Sequence, residues 1–301
     1  MFTTTSGRLR PIWAFLLAAL FSVAANILAA DLAGAVAGSR SLVFEVLFRP
    51  LLALFLLALF LWMLKVADHV EHDRLGALGL PRVAGALRQF ADGCVLGAGL
   101  IVLAIMPIAI WGRVVSIRFH FTPLALARVA GVLTMLVFGA LAEELMFRGY
   151  PFQRLEEAVG AAGAILVFSA LFGLAHLWNP AASRWGLVNT VLIGIVLAVA
   201  YLRTRSLWMP WGLHFAWNTT LGLLLGLPVS GLRVFNVAVR ITVTGPLSVT
   251  GGAYGVEASA GGAVAVLIGL TLVSVLPLRR LETAVSAVKA PHPNSPLGIE
   301  N

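Results

Sequence analysis

The sequence predicts an all-α integral membrane protein, a bundle of about eight transmembrane helices. Three observations predict it. Of 301 residues, 60% are hydrophobic and 11% charged, against roughly 25% charged in a soluble domain. The mean hydropathy is +0.96, so lipid must cover part of the apolar surface. Third, apolar runs of about 20 residues, the length a helix needs to cross a bilayer, alternate with short gaps. The net charge of +8 comes from 21 Lys and Arg, and these sit in the gaps. Basic residues so placed fit loops facing anionic lipid, so the partner is the bilayer and not nucleic acid. A single cysteine, Cys94, excludes a disulfide framework and a thiolate metal cluster.

The apolar runs lie near 11–29, 47–66, 93–111, 127–147, 161–177, 187–202, 208–226 and 261–278. The first follows Arg8 and Arg10 as a secretory leader would. More spans follow and no cleavage site stands out near Ala29–Ala30, so a retained helix is expected. The third and fifth runs are rich in Gly and Ala, which suits close helix packing. Counting Lys and Arg places both termini, the 65–92 loop, the Arg154 turn and the Arg203–Arg205 turn in the cytoplasm. The stretch 227–260 is dense in glycine and is expected to be an ordered outer loop. The tail 291–301 is polar and Pro-rich and is expected to be mobile. The chain thus divides into N-terminal transmembrane helices with a cytoplasmic loop (1–124), a core (125–226), an outer loop with the last helix (227–290), and the tail.

Ionisable groups inside a membrane cost about 2.5–3.5 kcal/mol each on insertion scales, so a chain that keeps several is using them. Glu143, Glu144 and Arg148 close the fourth run. Glu144 and Arg148 are spaced i, i+4 and can pair on one helix face, leaving Glu143 free for another partner. Alone this reads better as a structural ion pair at a helix end. His176 ends the fifth run, four residues after Phe172; alone it reads as a packing histidine. His214 and Asn218 in the seventh run are again i, i+4. Two converging donors suit a developing oxyanion, but alone the pair reads better as an interhelical polar contact. His69 and His72 sit within Asp68–Arg74, a mixed-charge stretch that reads as a solvated loop. Glu45 and Arg49 read as a structural i, i+4 pair.

Together the clusters say more than each alone. Gly160 marks a turn; Glu143 lies 17 residues before it (160 − 143) and His176 16 after (176 − 160). A hairpin therefore brings the two to one level. His214 lies nine residues past Arg205, only about 13 Å deep. A common depth needs either an interfacial piece at 152–157, after the break at Gly149-Tyr150-Pro151, or a re-entrant stretch around 178–186; both stay open.

The ordered set Glu143-Glu144-x-x-x-Arg148, Phe172-x-x-x-His176, His214-x-x-x-Asn218 resembles the CAAX prenyl endopeptidase and bacteriocin-processing (CPBP) family, also called the type II CAAX protease or Abi family. Residues 251–257, Gly-Gly-Ala-Tyr-Gly-Val-Glu, are similar to a loop of bacterial members, as is the Ala-, Leu- and Gly-rich composition. The resemblance implies a polar intramembrane cavity and a glutamate-dependent endopeptidase. Glu143 and His176 would activate water, His214 and Asn218 would form the oxyanion hole, and Glu144 and Arg148 would support them. It implies no cofactor. Zinc is the alternative, with Glu143, His176 and His214 as ligands. The expected partner is a peptide or protein tail at the membrane. A non-catalytic protein that binds peptide or lipid in the same cavity is the competing reading.

Overall fold

In the computed structural model, the structure describes residues 10–37, 51–63, 65, 79–80, 84–278 and 280. The Asp68–Arg74 cluster, the Glu45–Arg49 pair and the 291–301 tail lie outside them. Each of the eight apolar runs is helical over most of its described residues. The order is α1 (Pro11–Ala37), α2 (Leu51–Met63), α3 (Ala86–Trp111), β1 (Arg113–Phe119), α4 (Pro123–Arg148), α5 (Tyr150–Ala175), α6 (Arg184–Thr204), α7 (Trp208–Asn218), β2 (Val239–Thr244), α8 (Leu247–Thr250) and α9 (Ala260–Val275). Four stretches are long and apolar enough to cross a membrane: Pro11–Ala33, Ala86–Trp111, Pro123–Ala175 (which joins α4 and α5) and Arg184–Thr204. The chain is an integral membrane protein. α2 and α9 are shorter apolar helices.

Residue size sets how closely these helices approach. Ala14, Ala18, Ser22, Ala25, Ala29 and Ala33 form a buried small-residue stripe along α1, which packs on α5. Leu16, Leu17, Leu20 and Ile27 face outward, toward lipid. On α3, Gly93 and Gly97 make a small-x-x-x-small pair. A Cβ at Gly93 would overlap the Met209 carbonyl, and one at Gly97 the Leu213 carbonyl. From the other side, a Cβ at Gly212 would overlap the Phe90 carbonyl. Glycine thus lets α3 and α7 touch backbone to backbone, and α7 carries His214.

The helix ends follow from local chemistry. Thr122 caps α4 by accepting from the Ala125 N–H, with Pro123 in the first turn. Ser183 caps α6 through the Gly186 N–H, and Ser259 caps α9 through the Gly262 N–H. Gly149 separates α4 from α5, with Pro151 in the first turn of α5. Within α5, Gly160 has φ 79° and ψ 167°, a region open to glycine alone. The chain therefore breaks twice between Glu143 and His176, and the piece between the breaks is a short helical segment with buried Tyr150, Phe152 and Leu155. Of the two routes left open by the sequence, the structure has this intervening piece, while residues after His176 form turns until α6 starts at Arg184.

The expectation of a purely helical chain needs one correction. β1 and β2 pair antiparallel, with Ile117 opposite Ile241 and Phe119 opposite Val239. The ribbon ties the segment after α3 to the segment 227–260. Other contacts join segments that the count of basic residues puts on one side. Arg205 forms a two-pronged pair with Glu156 at 2.8 and 2.9 Å. Arg203 Nη2 donates to the Leu276 carbonyl at 2.9 Å. The ends of α6 and α9 and the start of α5 thus share one end of the bundle.

Candidate active site

The motif residues converge on one cavity of about 350 Å³, lined by Glu143, His176, His214 and Asn218 together with apolar side chains from α2, α4, α6 and the 229–235 segment. That volume lies within the range of small-molecule and peptide side-chain pockets.

Glu144 and Arg148 form the expected i, i+4 pair, Nη1 to Oε1 at 3.2 Å, with side-chain exposures of 0% and 1%. Burying such a pair needs further partners. Arg148 Nη2 supplies one by donating to the Gly194 carbonyl of α6 at 3.1 Å. Its guanidinium also lies 4.6 Å from the Phe172 ring centre. The Phe172 ring in turn stands 4.8 Å from that of His176 and 6.0 Å from that of His214. One phenyl ring therefore wedges the arginine and both histidines, which gives the Phe-x-x-x-His spacing a packing reason.

His176 Nδ1 lies 2.8 Å from the Phe172 carbonyl. A carbonyl only accepts, so Nδ1 carries the hydrogen, and in the neutral ring Nε2 keeps its lone pair. His214 is buried. Its Nδ1 lies 2.8 Å from Glu144 Oε1, and its Nε2 lies 3.8 Å from Glu143 Oε2. Glu144 thus reaches past Arg148 to orient the histidine of another helix, a contact the i, i+4 spacing does not disclose. With Nδ1–H given to Glu144, Nε2 donates only from the imidazolium, whose charge the Glu143 and Glu144 carboxylates would flank. Glu143 is 41% exposed on its side chain. Asn218 lines the cavity and makes no side-chain hydrogen bond among the described residues. It ends α7, and a π-helical turn, Thr219–Leu224, follows directly. Such turns gather at functional sites.

Among the described residues, no three His, Cys, Asp or Glu side chains are grouped as a metal ion requires. The two histidine Nδ1 atoms are turned to Phe172 and Glu144, which leaves each ring only its Nε2 for any further ligand.

Residues 125–220 match the family model described as type II CAAX prenyl endopeptidase, Rce1-like. This stretch of the chain is similar to that family. No curated protein and no solved structure matches the chain. The matched region runs from the start of α4 past α7 and contains every motif residue named above. A CAAX-protease-type membrane peptidase is the coarse activity that the family carries.

Among the residues outside the matched region that line the cavity is a carboxylate, Glu257. Glu257, in the turn Val256–Ala258 ahead of α9, accepts from Trp217 Nε1 at 2.9 Å and from Ser230. In the sequence it is only the last residue of the 251–257 loop, with no role of its own. A carboxylate closing a glycine-rich stretch, followed by an apolar helix, is the signal that could have found it.

Proposed function

We propose that the chain is an intramembrane endopeptidase that cleaves a membrane-associated peptide or protein tail with a glutamate-activated water. The observation that carries this reading is the convergence of Glu143, His176, His214 and Asn218, from three helices, on a single cavity. A base, a water-orienting acceptor and two donor-capable groups are the parts such hydrolysis needs. A binding pocket has no need of all four.

Water sits between Glu143 and the free Nε2 of His176. Glu143 takes its proton as the oxygen bonds to the scissile carbonyl carbon. The carbonyl oxygen gains negative charge and is met by the His214 Nε2–H and the Asn218 amide. Glu143 then passes the proton to the leaving nitrogen as the C–N bond breaks, which restores the carboxylate. Glu144, held by Arg148, keeps the His214 ring turned toward the cavity. This chemistry needs no metal; zinc on Glu143, His176 and His214 is the alternative. The substrate lies at the bilayer surface. Both termini face the cytoplasm, and a bacterial inner membrane fits the composition. The shared bundle end of the Arg154 and Arg203–Arg205 turns supports that sidedness.

The test uses proteoliposomes and a library of membrane-tethered peptides, prenylated and not. Wild type and Glu143→Ala are compared, with and without a chelator. Cleavage by wild type alone, unaffected by chelation, is the expected result. Loss of cleavage on chelation would transfer the three side chains to a metal. Equal peptide binding by both proteins with no cleavage would make the cavity a binding site.

A further inference from the structure

The carboxylate of Glu257 belongs to none of the steps above, yet it lines the same cavity. Its oxygens are fully engaged. Oε1 accepts from Trp217 Nε1 at 2.9 Å. Oε2 accepts from the Ser230 hydroxyl at 3.2 Å and also from the Ser230 N–H. The donors come from two different walls. Trp217 is buried on α7, one residue before Asn218 and three after His214. Ser230 belongs to a tight turn, and its carbonyl accepts from Asn179 Nδ2 at 3.1 Å. Asn179 donates its own N–H to the His176 carbonyl at 3.2 Å. The turn thus leads to the segment that carries His176.

The turn itself is strained. Ser230 has φ 47° and Gly231 φ 82°. A Cβ at Gly231 would overlap the Pro180 carbonyl. A non-glycine residue holds a left-handed conformation only where its surroundings over-determine it, and here the Glu257 carboxylate takes both Ser230 donors. Glu257 is anchored in turn on α6. Asn189 Nδ2 donates to the Glu257 carbonyl at 2.8 Å and to the Ser259 carbonyl at 3.2 Å. The fully buried Tyr254 lies with its hydroxyl 3.3 Å from Thr190 Oγ1, and its carbonyl accepts from the Gly231 N–H at 2.8 Å.

We infer that Glu257 is a positioning residue of the peptidase site: it clamps the Trp217 indole and the Ser230 turn, and so fixes the separation between His176 and the His214–Asn218 pair. It acts through these two groups and takes no proton in the reaction. Its effect is alignment, which acts on the chemical step and not on peptide affinity. The inference rests on the peptidase reading, so the test carries one arm that needs no substrate.

Glu257→Gln keeps the shape but leaves one accepting oxygen where two served. Trp217→Phe removes a single donor and spares the rest, and it carries the test should Glu257→Gln fail to fold. On a peptide cut by wild type, kcat falls about 10- to 100-fold in Glu257→Gln, and KM stays within twofold. Trp217→Phe moves the same way by less, and the double variant is no worse than Glu257→Gln. In parallel, hydrogen–deuterium exchange across residues 214–232 is faster in both variants while the unfolding midpoint stays near that of wild type. Unchanged kcat, or a rise in KM alone, overturns the inference and leaves the peptidase reading intact. Should wild type cut nothing, the peptidase reading fails, and unaltered exchange in the variants overturns the clamp as well.

Discussion

Arg148→Met probes the buried contact on which the site rests. Arg148 is 1% exposed and Glu144 0%, so water reaches neither charge. Methionine fills much of the space but removes the Nη1 bond to Glu144 and the Nη2 bond to the Gly194 carbonyl. Among the described residues, Glu144 is then left with only His214 as a partner. Removing one partner of a buried pair destabilises by about 3–5 kcal/mol. Loss of the guanidinium from the Phe172 face would add about 0.5–2 kcal/mol if it were independent. The two losses share one side chain and do not add, so the expected total stays at about 3–5 kcal/mol. Arg148→Lys keeps the charge but replaces a fork by a point. Holding Glu144, it gives up the α6 carbonyl, and a loss of about 1–3 kcal/mol is expected. Glu144→Met with Arg148→Met removes both charges and is milder than the sum of the single changes, with a coupling of about 0.5–3 kcal/mol. The double variant is not neutral, because His214 Nδ1 loses its acceptor. The assay is reversible unfolding in mixed micelles titrated with SDS and followed by circular dichroism. An Arg148→Met protein within about 1 kcal/mol of wild type, the usual worth of an exposed pair, would refute the reasoning. The buried fork would then not be what holds α4 against α6.

Three further outcomes are expected. Gly160→Ala meets no atom within 4 Å of the new Cβ, so its whole effect is backbone strain at φ 79°, a loss of about 1–3 kcal/mol in the same unfolding assay. Gly97→Ala forces a methyl against the Leu213 carbonyl; a loss of about 1–3 kcal/mol and slower peptide cleavage are expected together, since the displaced residue neighbours His214. Burial pushes the Glu257 carboxyl up, with the Trp217 and Ser230 donors only partly opposing it. The folded chain then holds this proton more tightly than the unfolded chain. The stabilisation is full below the ordinary carboxylate pKa and is lost as pH rises through the raised one. Unfolding midpoints measured across that window should decline in wild type and decline less in Glu257→Gln.

Much of the fold was legible because lipid imposes length and hydropathy on each helix. The α4–α5 hairpin followed from Gly160 and Pro151. The close α3–α7 contact was only hinted at by the small residues near Gly93 and Gly97. The ribbon was not legible. β1 is a seven-residue segment whose partner lies more than 100 residues away, and neither strand stands out against the apolar helices around it. In the site, local spacing revealed the pair of Glu144 with Arg148, whereas Phe172 with His176 came from the resemblance. Contacts between helices were hidden, as spacing says nothing about them. The Glu144–His214 bond and the Glu257 clamp are of that kind. The first bears on the chemistry, since with Nδ1–H given to Glu144 the His214 Nε2 can donate only from the imidazolium.

The most direct test of the central claim is the single-turnover cleavage rate of Glu143→Gln in proteoliposomes, on a peptide that wild type cuts. Glutamine keeps the size and polarity of the side chain but accepts no proton. Unchanged peptide binding and a rate about 10²- to 10⁴-fold lower, the usual worth of a general base, are expected. A Glu143→Gln protein that cleaves at the wild-type rate would contradict the claim, and the water would need another base.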